Sequence, residues 1–300
     1  MLAGFLSIPL RVRVMSSFDT LITVADLQAM MDTGNLRIVD CRFSLLDPDA
    51  GRAQYDAGHL PGAVYADLDE DLAGPIDTST GRHPLPDAAI FENTLRRLGV
   101  DNECQVVVYD DASGGLAARL WWMLRWMGHE RVAVLDGGIA AWQAARLPVS
   151  VETVRPEAGN FAGTSGSLPV VTTADVLAEV GSDEGMILVD ARDPARYRGE
   201  HEPIDPVAGH VPGAVNLPFS KGINADGTWK SAGELRASWQ SVLEGLSDKR
   251  PIAVMCGSGV TACHLALAAK VAGIREPALY AGSWSEWIAD SARPIAADSG

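Results

Sequence analysis

Short apolar runs alternate with longer amphipathic stretches along this chain. Residues 37–40, 63–65, 106–109 and 132–135 are brief runs dominated by apolar side chains, with no regular polar alternation. Runs of that kind suit strands covered on both faces. Helical spacing occupies 25–31, 88–98, 116–127 and 139–145, and returns over 174–180, 233–243, 260–272 and 284–289. This alternation predicts an α/β fold, a parallel sheet covered by helices on both faces. In such sheets sites gather at the carboxyl ends of strands.

The pattern occurs twice. Asp40-Cys41-Arg42 matches Asp190-Ala191-Arg192, and Gly58-His59-Leu60-Pro61-Gly62-Ala63 matches Gly209-His210-Val211-Pro212-Gly213-Ala214. Val106 to Asp110 matches Ile252 to Cys256, and Gly137 with Trp142 matches Gly282 with Trp287. The order is kept and only loops differ, so the chain reads as a duplicated domain. The copies are placed at 18–147 and 170–294. Residues 148–169, rich in Pro and Gly, form the expected linker, long for a loop inside a domain.

The 300 residues carry a net charge of −15. That charge argues against nucleic acid and anionic membrane as partners. No apolar stretch is long enough to span a bilayer. The apolar N-terminus precedes Arg11 and Arg13 instead of following them, the wrong order for a secretory signal, and Met15 is an alternative start. Four cysteines, Cys41, Cys104, Cys256 and Cys263, show no metal-type spacing. A cytoplasmic protein with free thiols, no metal and no cofactor is expected.

The most informative segment is Cys256-Gly257-Ser258-Gly259-Val260-Thr261-Ala262, set between an apolar run and a helical one. Its glycines let the chain curl so that successive N–H groups face one centre, and the helix N-terminus adds positive potential. Both favour a nucleophilic thiolate at Cys256. Cys263, two helical turns on, reads as core. Trp121, Trp122 and Trp126 read as helix packing near the interface between copies, and Gly81-Arg82-His83-Pro84 as a surface loop, with a place at the border of the cleft as the alternative.

The paired Gly-His-x-Pro-Gly-Ala motifs, the paired Asp-x-Arg strand ends, Arg196-Tyr197-Arg198-Gly199 and the cysteine turn together resemble the two-domain rhodanese-like sulfurtransferases. The resemblance implies two tandem rhodanese-like domains and transfer of sulfane sulfur through a Cys256 persulfide. The donor would be a small molecule and the acceptor a thiol, such as thioredoxin, or cyanide. It implies that the first copy, with Asp110 at the cysteine position, is inactive. The turn residues Gly257, Gly259, Val260 and Thr261 would bind substrate beside Ser258, a proton relay or hydrogen-bond donor. His59 would contact Ser258, oriented by Asp49 or by Asp47, although His210 in the second motif argues for a structural role for both. Arg196 would hold the substrate carboxylate, with Arg192 more often a loop tie and Arg198 a substitute for either.

The neutral turn looks like the 3-mercaptopyruvate type, because a thiosulfate site favours charged side chains beside the sulfur. Against this, Glu202-Pro203-Ile204-Asp205 lacks a second arginine found in mammalian mercaptopyruvate enzymes and looks like the thiosulfate type. Thiosulfate:cyanide transfer and a sulfur carrier with weak turnover are the alternatives. The related cysteine phosphatases need an arginine closing the turn, where this chain has Ala262.

Overall fold

A computed structural model describes residues 17–180, 182, 184–247 and 249–297; the N-terminal segment with Arg11, Arg13 and Met15 lies outside the described residues. The first half runs β1 (Leu21–Ile22), α1 (Val24–Met30), β2 (Leu36–Asp40), α2 (Asp49–Ala57), β3 (Val64–Tyr65), α3 (Ala88–Arg97), β4 (Gln105–Tyr109), α4 (Ala117–Trp126), β5 (Val132–Leu135) and α5 (Gly138–Ala144). The second runs β6 (Val170–Val171), α6 (Thr173–Glu179), β7 (Ile187–Asp190), α7 (Pro194–Arg198), β8 (Val215–Asn216), a 3-10 turn (Phe219–Gly222), α8 (Ala232–Leu243), β9 (Ile252–Met255), α9 (Thr261–Ala272), β10 (Ala278–Tyr280) and α10 (Ser283–Trp287).

Each half forms one parallel five-stranded sheet, ordered β1-β5-β4-β2-β3 and β6-β10-β9-β7-β8. The apolar runs at 106–109 and 252–255 are the central strands β4 and β9, and every residue of both is buried. Continuous burial explains their lack of polar alternation. The helical pattern did not reveal α2, since only Gly51 and Tyr55 of its residues are buried. No helix among the described residues is long and apolar enough to cross a membrane.

The repeated motifs hold each copy closed. His59 exchanges backbone hydrogen bonds with Ser150 (2.9 and 2.8 Å), and His210 does the same with Ala296 (2.8 and 2.9 Å). Each ring stacks on a tyrosine, Tyr55 or Tyr197, with centroids 3.9 Å apart. The Asp-x-Arg ends complete this clasp. Arg42 binds Asp40 and the Gly58 carbonyl, and Arg192 binds Asp190 and the Gly209 carbonyl. Residues 148–169 run along the first half, with Phe161 buried there and bonded to Val100.

The two halves share one hydrophobic core. It runs from Trp121 and Trp122 of α4 through Ala262, Cys263 and Ala266 of α9. α4 and α9 are buried nearly all round, as expected of helices packed on a sheet and on each other. Ion pairs border this seam: Arg125 with Glu276 (3.1 Å) and Lys270 with Asp19 (3.1 Å).

Candidate active site

The turn from Cys256 to Val260 joins β9 to α9, at the carboxyl end of the central strand. The β10–α10 connection fixes its start. Cys256 N–H donates to Ser283 Oγ (3.0 Å), while Trp284 N–H and Ser285 N–H donate to the carbonyls of Cys256 (3.0 Å) and Gly257 (2.8 Å). Gly259 has φ +79°, and a Cβ there would sit 2.4 Å from the Ala281 carbonyl oxygen, so glycine is required.

Cys256 is 2% exposed, at the floor of a cleft of about 160 Å³. Phe43, Leu45, Leu68, Leu116 and Ile204 form its apolar wall, and Arg82, His83, Arg196, Ser258 and Thr261 supply polar atoms. The cleft thus draws on both halves of the chain.

The serine of the turn has a partner from the other half. Ser258 Oγ lies 2.7 Å from His83 Nδ1, and His83 Nε2 lies 3.1 Å from Asp69 Oδ1. Burial, followed by the Arg119 and Arg82 cations, pushes His83 down to about 3, so its ring is neutral at ordinary pH. A neutral ring facing a carboxylate at Nε2 keeps its proton there. Nδ1 is then free to accept the Ser258 hydroxyl proton. This is the arrangement of a base oriented by a third group.

Two arginines flank the residue after the cysteine. A Cβ on Gly257 would lie 3.1 Å from Arg82 Nη2 and 3.5 Å from Arg196 Nη2. Asp205 holds both guanidiniums, one on each oxygen, and Glu202 takes Arg196 Nε at 2.9 Å. Burial pushes the Glu202 carboxyl up, but its hydrogen bonds with Arg196 hold it below the usual range.

The first copy shows what such a turn does with an anion. Asp110 ends β4 as Cys256 ends β9. Its buried carboxylate accepts N–H bonds from Ala112, Gly114, Leu116 and Ala117 at 2.8–2.9 Å. Burial raises its pKa against the pull of these amides. The cradle of the first copy is thus filled by the protein's own carboxylate.

The rhodanese-like domain profile matches residues 23–145 and 172–290, one match for each sheet. This chain belongs to the rhodanese-like family. A Pseudomonas aeruginosa relative, named a probable 3-mercaptopyruvate sulfurtransferase, is 44% identical over 92% of this chain and 97% of its own. The rat thiosulfate sulfurtransferase is 38% identical over 85% of both chains. The crystal structure of SseA from Escherichia coli, described as a 3-mercaptopyruvate sulfotransferase, superposes with a TM-score of 0.78 at 33% identity. That match covers 89% of this chain and all of SseA.

The rhodanese-like frame separates the residues picked from sequence. Cys256, Ser258, Arg196, Gly257, Val260 and Thr261 line the cleft, and Gly259 shapes the turn. His59 does not join them: its ring nitrogens face the carbonyls of Tyr55 (2.8 Å) and Glu152 (3.1 Å). Asp49 is an exposed residue in the first turn of α2, and it is not a partner of the His59 ring. Arg192 is buried on Asp190 and stacks over Trp284 at 4.6 Å, a tie and not a substrate ligand. Asp69, Arg82 and His83 sit in an aperiodic loop between β3 and α3; the segment expected at the surface instead buries His83 and lines the cleft with Arg82 and His83. The available signal was asymmetry: Gly-His-x-Pro-Gly-Ala occurs in both copies, whereas Gly81-Arg82-His83-Pro84 occurs in one.

Proposed function

We propose that this protein is a sulfurtransferase that moves sulfane sulfur from 3-mercaptopyruvate to a thiol or cyanide through a persulfide on Cys256. The observation that carries this reading is the Ser258–His83–Asp69 chain beside the cysteine. Attack of the Cys256 thiolate on the donor sulfur breaks its carbon–sulfur bond, and the electron pair leaves as pyruvate enolate. The donor's S–H proton must then reach carbon. Ser258 and His83 supply a path for it, leaving pyruvate and the persulfide anion. An acceptor thiolate removes the outer sulfur and restores Cys256. The amides of the turn, like those around Asp110, stabilise the negative sulfur. The first copy is non-catalytic in this reading, since a carboxylate takes up no sulfane sulfur. The free cysteines agree with work in a reducing compartment such as the cytoplasm.

Donor choice follows from the leaving group. Sulfite leaves thiosulfate without needing a proton at the site, whereas an enolate needs one. Steady-state assays with both donors are expected to give the higher kcat/KM for 3-mercaptopyruvate; a clear preference for thiosulfate would reverse the assignment. The thiosulfate reading is supported by the Glu202-Pro203-Ile204-Asp205 stretch and by the two guanidiniums beside Gly257.

In the mercaptopyruvate reading those guanidiniums hold the carboxylate, so Arg82 takes the part of the arginine missing after Pro203. Replacing Arg196 by alanine is expected to weaken donor binding by about 1.5–3 kcal/mol, the range for hydrogen bonds to charged groups. The Michaelis constant measures this, and an unchanged value removes Arg196 from the site.

A further inference from the structure

Arg119 stands on α4, in the half that lacks the nucleophile, and is fully buried. Its guanidinium donates to carbonyls on two sides. Nη2 reaches Leu72 (3.2 Å), His83 (3.0 Å) and Pro84 (3.3 Å), and Nη1 reaches Gly259 (3.1 Å). Leu72, His83 and Pro84 belong to the loop that carries Asp69 and His83. Gly259 belongs to the turn that carries Cys256. One planar fork thus spans both parts of the site, a geometry that an ammonium cannot reproduce.

The charge is as informative as the bonds. A buried cation without an acid partner is costly. Burial pushes the Arg119 guanidinium down from its usual range, and the Cys263 and Cys256 thiols oppose that push without reversing it. No carboxylate among the described residues pairs with it, and its Nη1 sits on the Gly259 carbonyl, three residues along the turn from Cys256. Carbonyl ties alone do not require a positive charge, because an amide side chain donates too.

We propose that Arg119 is a positioning residue for sulfur transfer: it clasps the His83 loop of one half to the sulfur-bearing turn of the other, and places a buried positive charge near the negative sulfur. The turnover part of this inference rests on the sulfurtransferase reading; the alkylation part does not.

Two variants separate the clasp from the charge. Arg119→Lys keeps the charge but cannot span the carbonyls. Arg119→Gln removes the charge. For each, kcat and KM are measured with 3-mercaptopyruvate, and the rate of Cys256 alkylation by iodoacetamide at pH 7 is followed by peptide mass. For Arg119→Lys, kcat is expected to fall about tenfold or more with KM within about twofold, because donor binding uses Arg196 and Arg82 while the relay loses its alignment. Its alkylation stays within about threefold of the native rate. For Arg119→Gln, alkylation slows about tenfold or more, because the sulfur loses its nearby cation. Native kcat in the lysine variant, or kcat and KM changing together, overturns the clasp. Native alkylation in a folded glutamine variant overturns the charge role. Should the glutamine variant not fold, Arg119→Met, which also lacks the charge, takes its place in the alkylation assay with the same two outcomes. If the native protein does not turn over 3-mercaptopyruvate, the functional reading fails, and the alkylation series still decides Arg119.

Discussion

Cys256→Ser is expected to abolish sulfur transfer, lowering kcat/KM by at least about 10³-fold, because no other group can replace the nucleophile. Burial raises the remaining thiols: Cys41 lies well above its ordinary value, Cys104 is raised, and Cys263 is pushed up to about 12. None of them is a ready thiolate at neutral pH. Intact mass makes the test direct. Native protein treated with 3-mercaptopyruvate should gain one sulfur and lose it to an added thiol, and the serine variant should gain none. Sulfur mapped by peptide mass to Cys263 would place the chemistry elsewhere.

The fold was legible where hydrophobic burial is periodic or continuous. β4 and β9 are buried along their length, so their sequences are uninterrupted apolar runs. The predicted helix at 88–98 is α3, Ala88–Arg97, extended by its cap residue. Elements with little burial of their own carry no such pattern: α7 has no buried residue, and β1 and β6 are two residues each. The site was legible on one side only. Cys256, Ser258 and Arg196 lie on the turn and short helix of a recognisable pattern. His83 reaches Ser258 from 175 positions away in sequence. No local spacing encodes that contact; it comes from the packing of α4 on α9 and from the carbonyls that Arg119 gathers. The histidine that the motif advertised, His59, was prominent because the fold needs it in both copies. Duplication marks what each domain requires to close, and the proposed relay uses what only one copy supplies.

Replacing His83 by alanine tests this division and separates the donors. Turnover of 3-mercaptopyruvate is expected to fall by about 10²–10⁴-fold in kcat, the usual range for loss of a positioned acid–base group. Thiosulfate turnover should fall by less than about tenfold, because sulfite departs without a proton from the site. Arg119 binds the backbone carbonyl of residue 83 and not its ring, so the loop keeps that anchor in the alanine variant. Ser258→Ala should show the same donor dependence, since Ser258 is the link between ring and substrate. Asp69→Asn should cost less, because this carboxylate is about half exposed and acts by fixing the tautomer. The imidazole is already neutral, its pKa pushed down to about 3, so His83 contributes no acid limb between about pH 5 and 8. A native pH profile that loses an acid limb in that range when His83 is replaced would mean that the resting ring titrates there and is not held neutral. Equal losses with both donors would mean that His83 holds the turn in shape and moves no proton.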